Sequence, residues 1–182
     1  MWRREPAPHR QRARLALPAR HARPRLGAGS GRNAIFLARR GFPVDAVDSW
    51  AAGVHKLNVY AGAHSLPLVA AVGDLNQAIP DCGGYGAVVC TLVLHLLRPE
   101  RAGAILTSAR ASASPGAVHA IAAITSEGDF ARDYAAGERY YPEPGDVACD
   151  YEDAGWEVHL AIEESLQMWE SNPQRGEYLT WR

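Results

Sequence analysis

Short apolar runs alternate along the chain with stretches whose apolar positions recur at helical spacing. "FPVDAVD" reads as a strand with Pro43 tolerated near its start, and "LPLVAAV", "YGAVVCT" and a buried "AVHAIAAI" read as three more. Between them, "RNAIFLARRG" sets Ile35, Phe36, Ala38 and Arg39 at amphipathic spacing and closes on Gly41. Trp50, Val54, Leu57 and Ala61 share a helical face in "SWAAGVHKLNVYAGA", weakened by Gly53. "ERAGAILTSARASA" is a helix ending around Ser114-Pro115-Gly116; a short helical stretch near "VACDYEDAG", the run "WEVHLAI" and a short last strand "EYLTW" follow. Strand and helix in regular succession predict an α/β fold, a mostly parallel sheet covered by helices.

Composition limits this to one domain: 182 residues, 47% of them apolar, fill one sizeable core. The net charge of -1 conceals a division. Residues 1–25 hold eight Arg against one acid, interrupted by Pro6, Pro8, Pro18 and Pro24, and read as a disordered or atypical basic segment ahead of a domain spanning 26–182. That segment is most simply a tail or a reading-frame artefact, with targeting or nucleic-acid attraction as lesser readings. Residues 127–182 carry fourteen Asp or Glu against four Arg, a solvated surface that disfavours nucleic acid as the main partner. No apolar run reaches membrane-spanning length and no secretory stretch opens the chain, so a soluble cytoplasmic protein with no membrane partner is expected. Cys82, Cys90 and Cys149 are too scattered for a disulfide framework, and no spacing of Cys or His suggests a metal.

Chemistry concentrates in "LGAGSGRNAIFLARRGFPVDAVDSW". Lacking a Cβ, Gly27, Gly29 and Gly31 let the chain turn tightly and bring backbone amides close to a ligand, and the helix starting near Arg32 adds unpaired amides. Asp48, twenty-one residues beyond Gly27, ends a strand where a carboxylate can accept both hydroxyls of a ribose. The plainer alternative is a glycine turn with Asp48 capping a helix. Asp74 ends another strand in "GDLNQ", where its carboxylate or neighbouring amides can meet the amino edge of adenine while Leu75 covers the base; an ordinary turn aspartate is the alternative. No P-loop, nucleophile elbow or metal motif occurs.

Taken in order, the glycine block, "GDLNQ" and "YGAVVCTLVLHLL" resemble the class I S-adenosylmethionine-dependent methyltransferases, most closely the tellurite-resistance methyltransferase family. The likeness runs from Leu26 to about Ser126, with an echo in "PEPGDVACDYEDAGWEV". It implies a Rossmann-like three-layer sandwich on a seven-stranded sheet, S-adenosyl-L-methionine as cofactor, and methyl transfer to a small-molecule acceptor: a soft nucleophile such as tellurite, a related chalcogen compound or a thiol. It further implies that Gly27, Gly29 and Gly31 border methionine and ribose, that Arg32 and Asn33 open the first helix, and that Asp48 holds the ribose with Ser49 beside it. Asp74 and Leu75 would contact adenine, and Thr91 with "LVLHLL" would form the floor near the sulfonium.

No catalytic residue is singled out, because a sulfonium methyl is already activated and in-line placement suffices. His95 is a candidate lip residue facing the acceptor, against the simpler reading of a satisfied histidine. Tyr134, Tyr140 and Tyr141 are candidates for an aromatic lid. The chain departs from the family at three points: in the first strand, where Arg25 stands in place of an acid that would meet the methionine ammonium and Pro24 removes a donor; at Ala28, which replaces a frequent Cys; and at the carboxyl end, where "SNPQRGEYLTWR" offers only the short possible last strand "EYLTW" in place of a clear hairpin. The first strand is therefore expected to be damaged or missing. Two other readings stand beside the enzyme: a degenerate fold serving as a non-catalytic binding protein, and an NAD-dependent oxidoreductase using the same turn and Asp48.

Overall fold

The computed structural model describes residues 22–80, 84–127, 130–131 and 139–163. Five strands, β1 (Ala22–Leu26), β2 (Val44–Asp48), β3 (Leu68–Val72), β4 (Ala87–Thr91) and β5 (Val118–Ala122), form one sheet in the order β3-β2-β1-β4-β5. All four pairings are parallel. The helices are α1 (Arg32–Ala38), α2 (Ala51–Ala63), α3 (Pro99–Ala111) and α4 (Asp146–Asp153), with a 3-10 turn at Leu94–Leu96. The expected α/β three-layer arrangement is therefore present, and no described helix is long and apolar enough to cross a membrane.

β1 is present at the centre of the sheet, and its damage is local. Pro24 has no N–H to give, and the registers pass it by. Against β2 the partners are Arg25 with Ala46 and Leu26 with Val47; against β4 the register slips between Ala22 and Arg23, then resumes at Arg25 with Val89 and Leu26 with Cys90. β1 thus draws Ala22 to Arg25 of the basic segment into the sheet.

Each face of the sheet has its own core. On one, Ala34 and Ala38 of α1 and Val54, Leu57 and Ala61 of α2 pack on Val44, Ala46, Leu68 and Ala70. On the other, Ala102, Ile105, Leu106 and Ala109 of α3, spaced as one helical stripe, pack with Val88, Cys90, Leu94 and Tyr151. Pro99 opens α3 where a missing N–H costs nothing, Glu100 lies in its first turn and Arg110 in its last, each charge suiting the helix dipole.

Some expectations change. Trp50 is not on the buried stripe of α2: it precedes the helix, half exposed, and its ring lies where a Cβ on Gly53 would sit, so Gly53 makes room for the indole. β5 is only half-buried because no described strand lies beyond it. Residues 156–163, carrying "WEVHLAI", form no strand, since none of the described strands pairs with them, and Leu160 and Ile162 stay exposed. α4 fastens to β5 through rings: His119 lies 4.3 Å from Trp156 and its Nδ1 shares a 2.8 Å hydrogen bond with the Tyr151 hydroxyl. "EYLTW", Tyr134 and Cys82 lie outside the described residues.

Candidate functional site

Between β1 and β4 the chain order reverses, the position at which open α/β sheets leave a crevice beyond the carboxyl ends of their strands. A cavity of about 610 Å³ lies there, lined by the glycine turn after β1, Asp48 and Ser49 after β2, Gly73 to Asn76 after β3, and Thr91 to Val93 after β4. Leu96 and Leu97 close one side, and Ala122 contributes from β5. Its size falls within the roughly 300–1,000 Å³ usual for small-molecule sites.

Among the predicted site residues, Gly27, Gly29, Asn33, Asp48, Ser49, Asp74, Leu75 and Thr91 line this cavity; Gly31 does not. All three glycines have left-handed backbones, with φ of +70°, +51° and +85°, but they have different neighbours. A Cβ on Gly27 would strike the Val93 side chain and one on Gly31 the Leu57 side chain, whereas at Gly29 nothing lies within 4 Å. Gly31 is therefore a packing residue that caps α1, and Gly29 is the bare floor of the cavity.

The turn's amides are largely engaged within the protein, a correction to the expectation that they reach for a ligand. Gly27 and Ala28 both donate to the Val47 carbonyl at 2.9 and 3.0 Å, and Gly31 donates to the Ala28 carbonyl at 2.9 Å. Gly29 donates to Asp48 Oδ2 at 2.6 Å. Asp48 Oδ1 accepts the Trp50 amide at 2.8 Å. Asp48 thus holds the turn that leads into α2 and clamps the glycine turn, while a carboxylate with about four lone-pair positions keeps room for further donors. Asp74 organises its own turn, accepting from the Asn76 amide at 2.9 Å and from Gln77 Nε2 at 3.0 Å. Leu75 is buried in the core beneath.

Side chains distant in sequence fasten the walls. Asn33 Nδ2 donates to Thr91 Oγ1 at 3.0 Å, joining α1 to the end of β4. Asn76 donates to the Leu96 carbonyl at 3.2 Å and accepts the Arg98 amide at 2.9 Å, holding the 3-10 turn against the Asp74 loop. Asn76 belongs to the "GDLNQ" motif, the sequence signal that points to it. Leu92 adopts φ +56°, an outlier for a bulky residue, and is held there by its amide's 2.8 Å bond to the Ala122 carbonyl.

His95 does not line the cavity: it is buried behind it, 8% exposed, with its pKa held below the usual value by burial and then by the Arg139 cation. Of the lid candidates, Tyr140 is half-buried against the core, its amide bonded to the Leu97 carbonyl at 2.9 Å, and its phenol pKa is raised by burial, then by Asp146 and Asp150. Tyr141 lies beside His95. No group of three or more potential metal ligands occurs among the described residues.

Residues 15–158 match the family described as tellurite resistance protein TehB. Among solved structures, TehB from Haemophilus influenzae superposes with a TM-score of 0.67 at 23% identity, covering 84% of this chain and 52% of that one. DhpI, solved as a SAM-HEP complex, gives 0.57 at 20% identity, covering 79% of this chain and 73% of that one. At those identities the likeness is one of fold. Among curated proteins, Hemagglutinin 1 of Eikenella corrodens is 32% identical over 105 residues, which are 58% of this chain and 35% of that protein. The chain thus spans about a third of the curated relative's length and about half of the Haemophilus protein's.

Proposed function

The chain belongs to the tellurite resistance protein TehB family and has a class I methyltransferase fold, and from that premise we propose that it transfers a methyl group from S-adenosylmethionine to a small soft nucleophile. Tellurite, a related chalcogen compound or a small thiol is the acceptor class. One observation carries the reading: Asp48 and Asp74, ending neighbouring strands, share a single cavity with a glycine turn whose middle residue, Gly29, leaves its floor bare.

The residues present fit the cofactor. Asp48 accepts one backbone donor on each oxygen and keeps lone pairs for ribose hydroxyls. Asp74 and Leu75 offer a polar edge and an apolar face to adenine. Gly29 allows close approach where a side chain would fill space. The bound cofactor would supply a methyl carbon made electrophilic by a sulfonium, with a neutral thioether as leaving group. Apolar Val93, Leu96 and Leu97 line one side of the cavity, and the Asn33–Thr91 and Asn76–Leu96 bonds keep its walls in place. Placement of this kind suffices for an acceptor that arrives as an anion. A cytoplasmic setting accords with the free thiols of Cys90 and Cys149.

Against a dinucleotide weighs the engagement of the Gly27, Ala28, Gly29 and Gly31 amides, since a pyrophosphate relies on donors from such a turn and the helix after it. Calorimetric titration with S-adenosylmethionine and S-adenosylhomocysteine tests the proposal. Saturable binding of both, each displacing the other, is expected; a folded protein that binds neither rejects it. Formation of S-adenosylhomocysteine in the presence of tellurite, selenite or a small thiol then identifies the acceptor.

A further inference from the structure

On one side the sheet ends at β3, and among the described residues no strand lies beyond it. In a parallel ladder the backbone groups of successive residues point to opposite sides, and the bonds flanking β3 fix which is which. The Pro67 carbonyl accepts the Val44 amide at 2.8 Å and the Gly73 amide donates to the Asp48 carbonyl at 3.0 Å, so Val69 and Ala71 also bond toward β2. Leu68, Ala70 and Val72 therefore turn their N–H and C=O groups outward.

At Ala70 those groups are already taken. Asn58, on α2, reaches over the edge: its Nδ2 donates to the Ala70 carbonyl and its Oδ1 accepts the Ala70 N–H, both at 2.8 Å. A side-chain amide carries the same donor and acceptor as a peptide group. Asn58 bonds Ala70 in the two-way pattern that directly opposed residues of an antiparallel pair exchange, and so stands where the backbone of a neighbouring strand would.

The strand beneath this contact has little else to keep a neighbour away. Edges are commonly guarded by charge, proline or a bulge, but β3, "LVAAV", carries no charge and pairs with β2 without a register slip, and it leaves Val69 65% and Val72 60% exposed. It is also its own complement. Paired antiparallel about Ala70, it sets Ala70 against Ala70, Leu68 against Val72 and Val69 against Ala71, apolar throughout and with no like charges to repel.

We propose that Asn58 is a latch over a latent dimer interface: where it releases Ala70, the outer edge of β3 pairs antiparallel with β3 of a second copy of the chain. The interface does not depend on the methyltransferase reading.

Sedimentation equilibrium of the full chain and of Asn58→Ala over a range of protein concentrations tests this. Asn58→Ala is expected to self-associate about tenfold or more tightly than the parent, since it leaves a backbone donor and acceptor for the partner strand. Adding Val69→Lys should return it to the parent value, because an edge lysine opposes strand pairing, whereas association through a loosened fold would persist. Amide exchange supplies a second readout: in Asn58→Ala the Ala70 amide should exchange faster than in the parent at low concentration and slow again as concentration rises. If Asn58→Ala does not fold, Asn58→Ser, whose shorter side chain does not span both Ala70 groups, takes its place with the same outcomes. Self-association equal to the parent's in the folded variant, association that survives Val69→Lys, or Ala70 exchange indifferent to concentration overturns the proposal. So does a parent chain that is already dimeric and falls apart on Val69→Lys alone, since the latch would then not be closed.

Discussion

Gly29 N–H donates to Asp48 Oδ2 across 2.6 Å, so the loop after β1 is clamped by the carboxylate at the end of β2. Asp48 therefore holds the shape of the cavity. In Asp48→Asn an NH₂ replaces one oxygen, and one of the two backbone donors must face it. Loss of about 1–3 kcal/mol of stability is expected, with at least a tenfold loss of S-adenosylhomocysteine affinity. Denaturant melts and calorimetry measure the two separately, and undiminished affinity would exclude Asp48 as the ribose acceptor.

Gly29 and Gly31 should respond differently to alanine. Gly31→Ala places a Cβ against Leu57 in a left-handed backbone, an expected cost of about 2–4 kcal/mol. Gly29→Ala meets no atom and should cost only about 1–2 kcal/mol, but its methyl enters the cavity and should sharply reduce cofactor binding. If Gly29→Ala binds as well as the parent chain, the ligand does not lie over that turn.

Asn76 is expected to act through the wall it ties. Asn76→Ala removes its bonds to Leu96 and Arg98, a loss of about 1–2 kcal/mol at roughly 1 kcal/mol per bond. Because the 3-10 turn loosens, cofactor affinity should fall although no contact to adenine is cut. Faster amide exchange at Leu97 and Arg98 in the variant is the accompanying sign; unchanged exchange would show that the turn stands without Asn76.

Arg25 stands two residues before Gly27, at the carboxyl end of β1. Charge reversal in Arg25→Glu should raise affinity for S-adenosylhomocysteine, which carries an ammonium, and leave 5′-methylthioadenosine, which lacks one, unaffected. Equal changes for both ligands would mean that Arg25 does not sense the amino-acid end.

His119 makes stability depend on pH. Burial, then the Arg110 cation, lowers its pKa from 6.5 to about 4. Between those values the unfolded chain takes up a proton that the folded ring refuses, so the native state loses stability as pH falls through that window. Wild type should therefore melt lower at pH 5 than at pH 7, and its advantage over His119→Asn should shrink at the lower pH. An advantage that does not change with pH would contradict this assignment.

The succession of strands and helices and the crevice acids were legible because their signals are local: an apolar run, a glycine turn, an acid at a strand's end. Asn76 was not, since its role depends on Leu96 and Arg98, which become its neighbours only through folding. The same holds for Trp50, whose hydrophobicity placed it on the α2 stripe although its ring folds over Gly53. "AVHAIAAI" and "WEVHLAI" have strand composition, but burial and pairing depend on what lies alongside, which no run of residues states for itself. At Pro24, local chemistry correctly marked irregularity; the flanking ladders determine how far it spreads.

That confinement has a consequence for wear. Arg25 and Leu26 are gripped from both sides, while the residues before Pro24 are registered only with β4, and irregularly. Fraying of the central strand should begin at its amino end and stop short of the glycine turn, so deuterium uptake would run as a gradient along five residues. Drift in sequence at the amino ends of these strands is thereby insulated from the carboxyl ends, where the cavity lies.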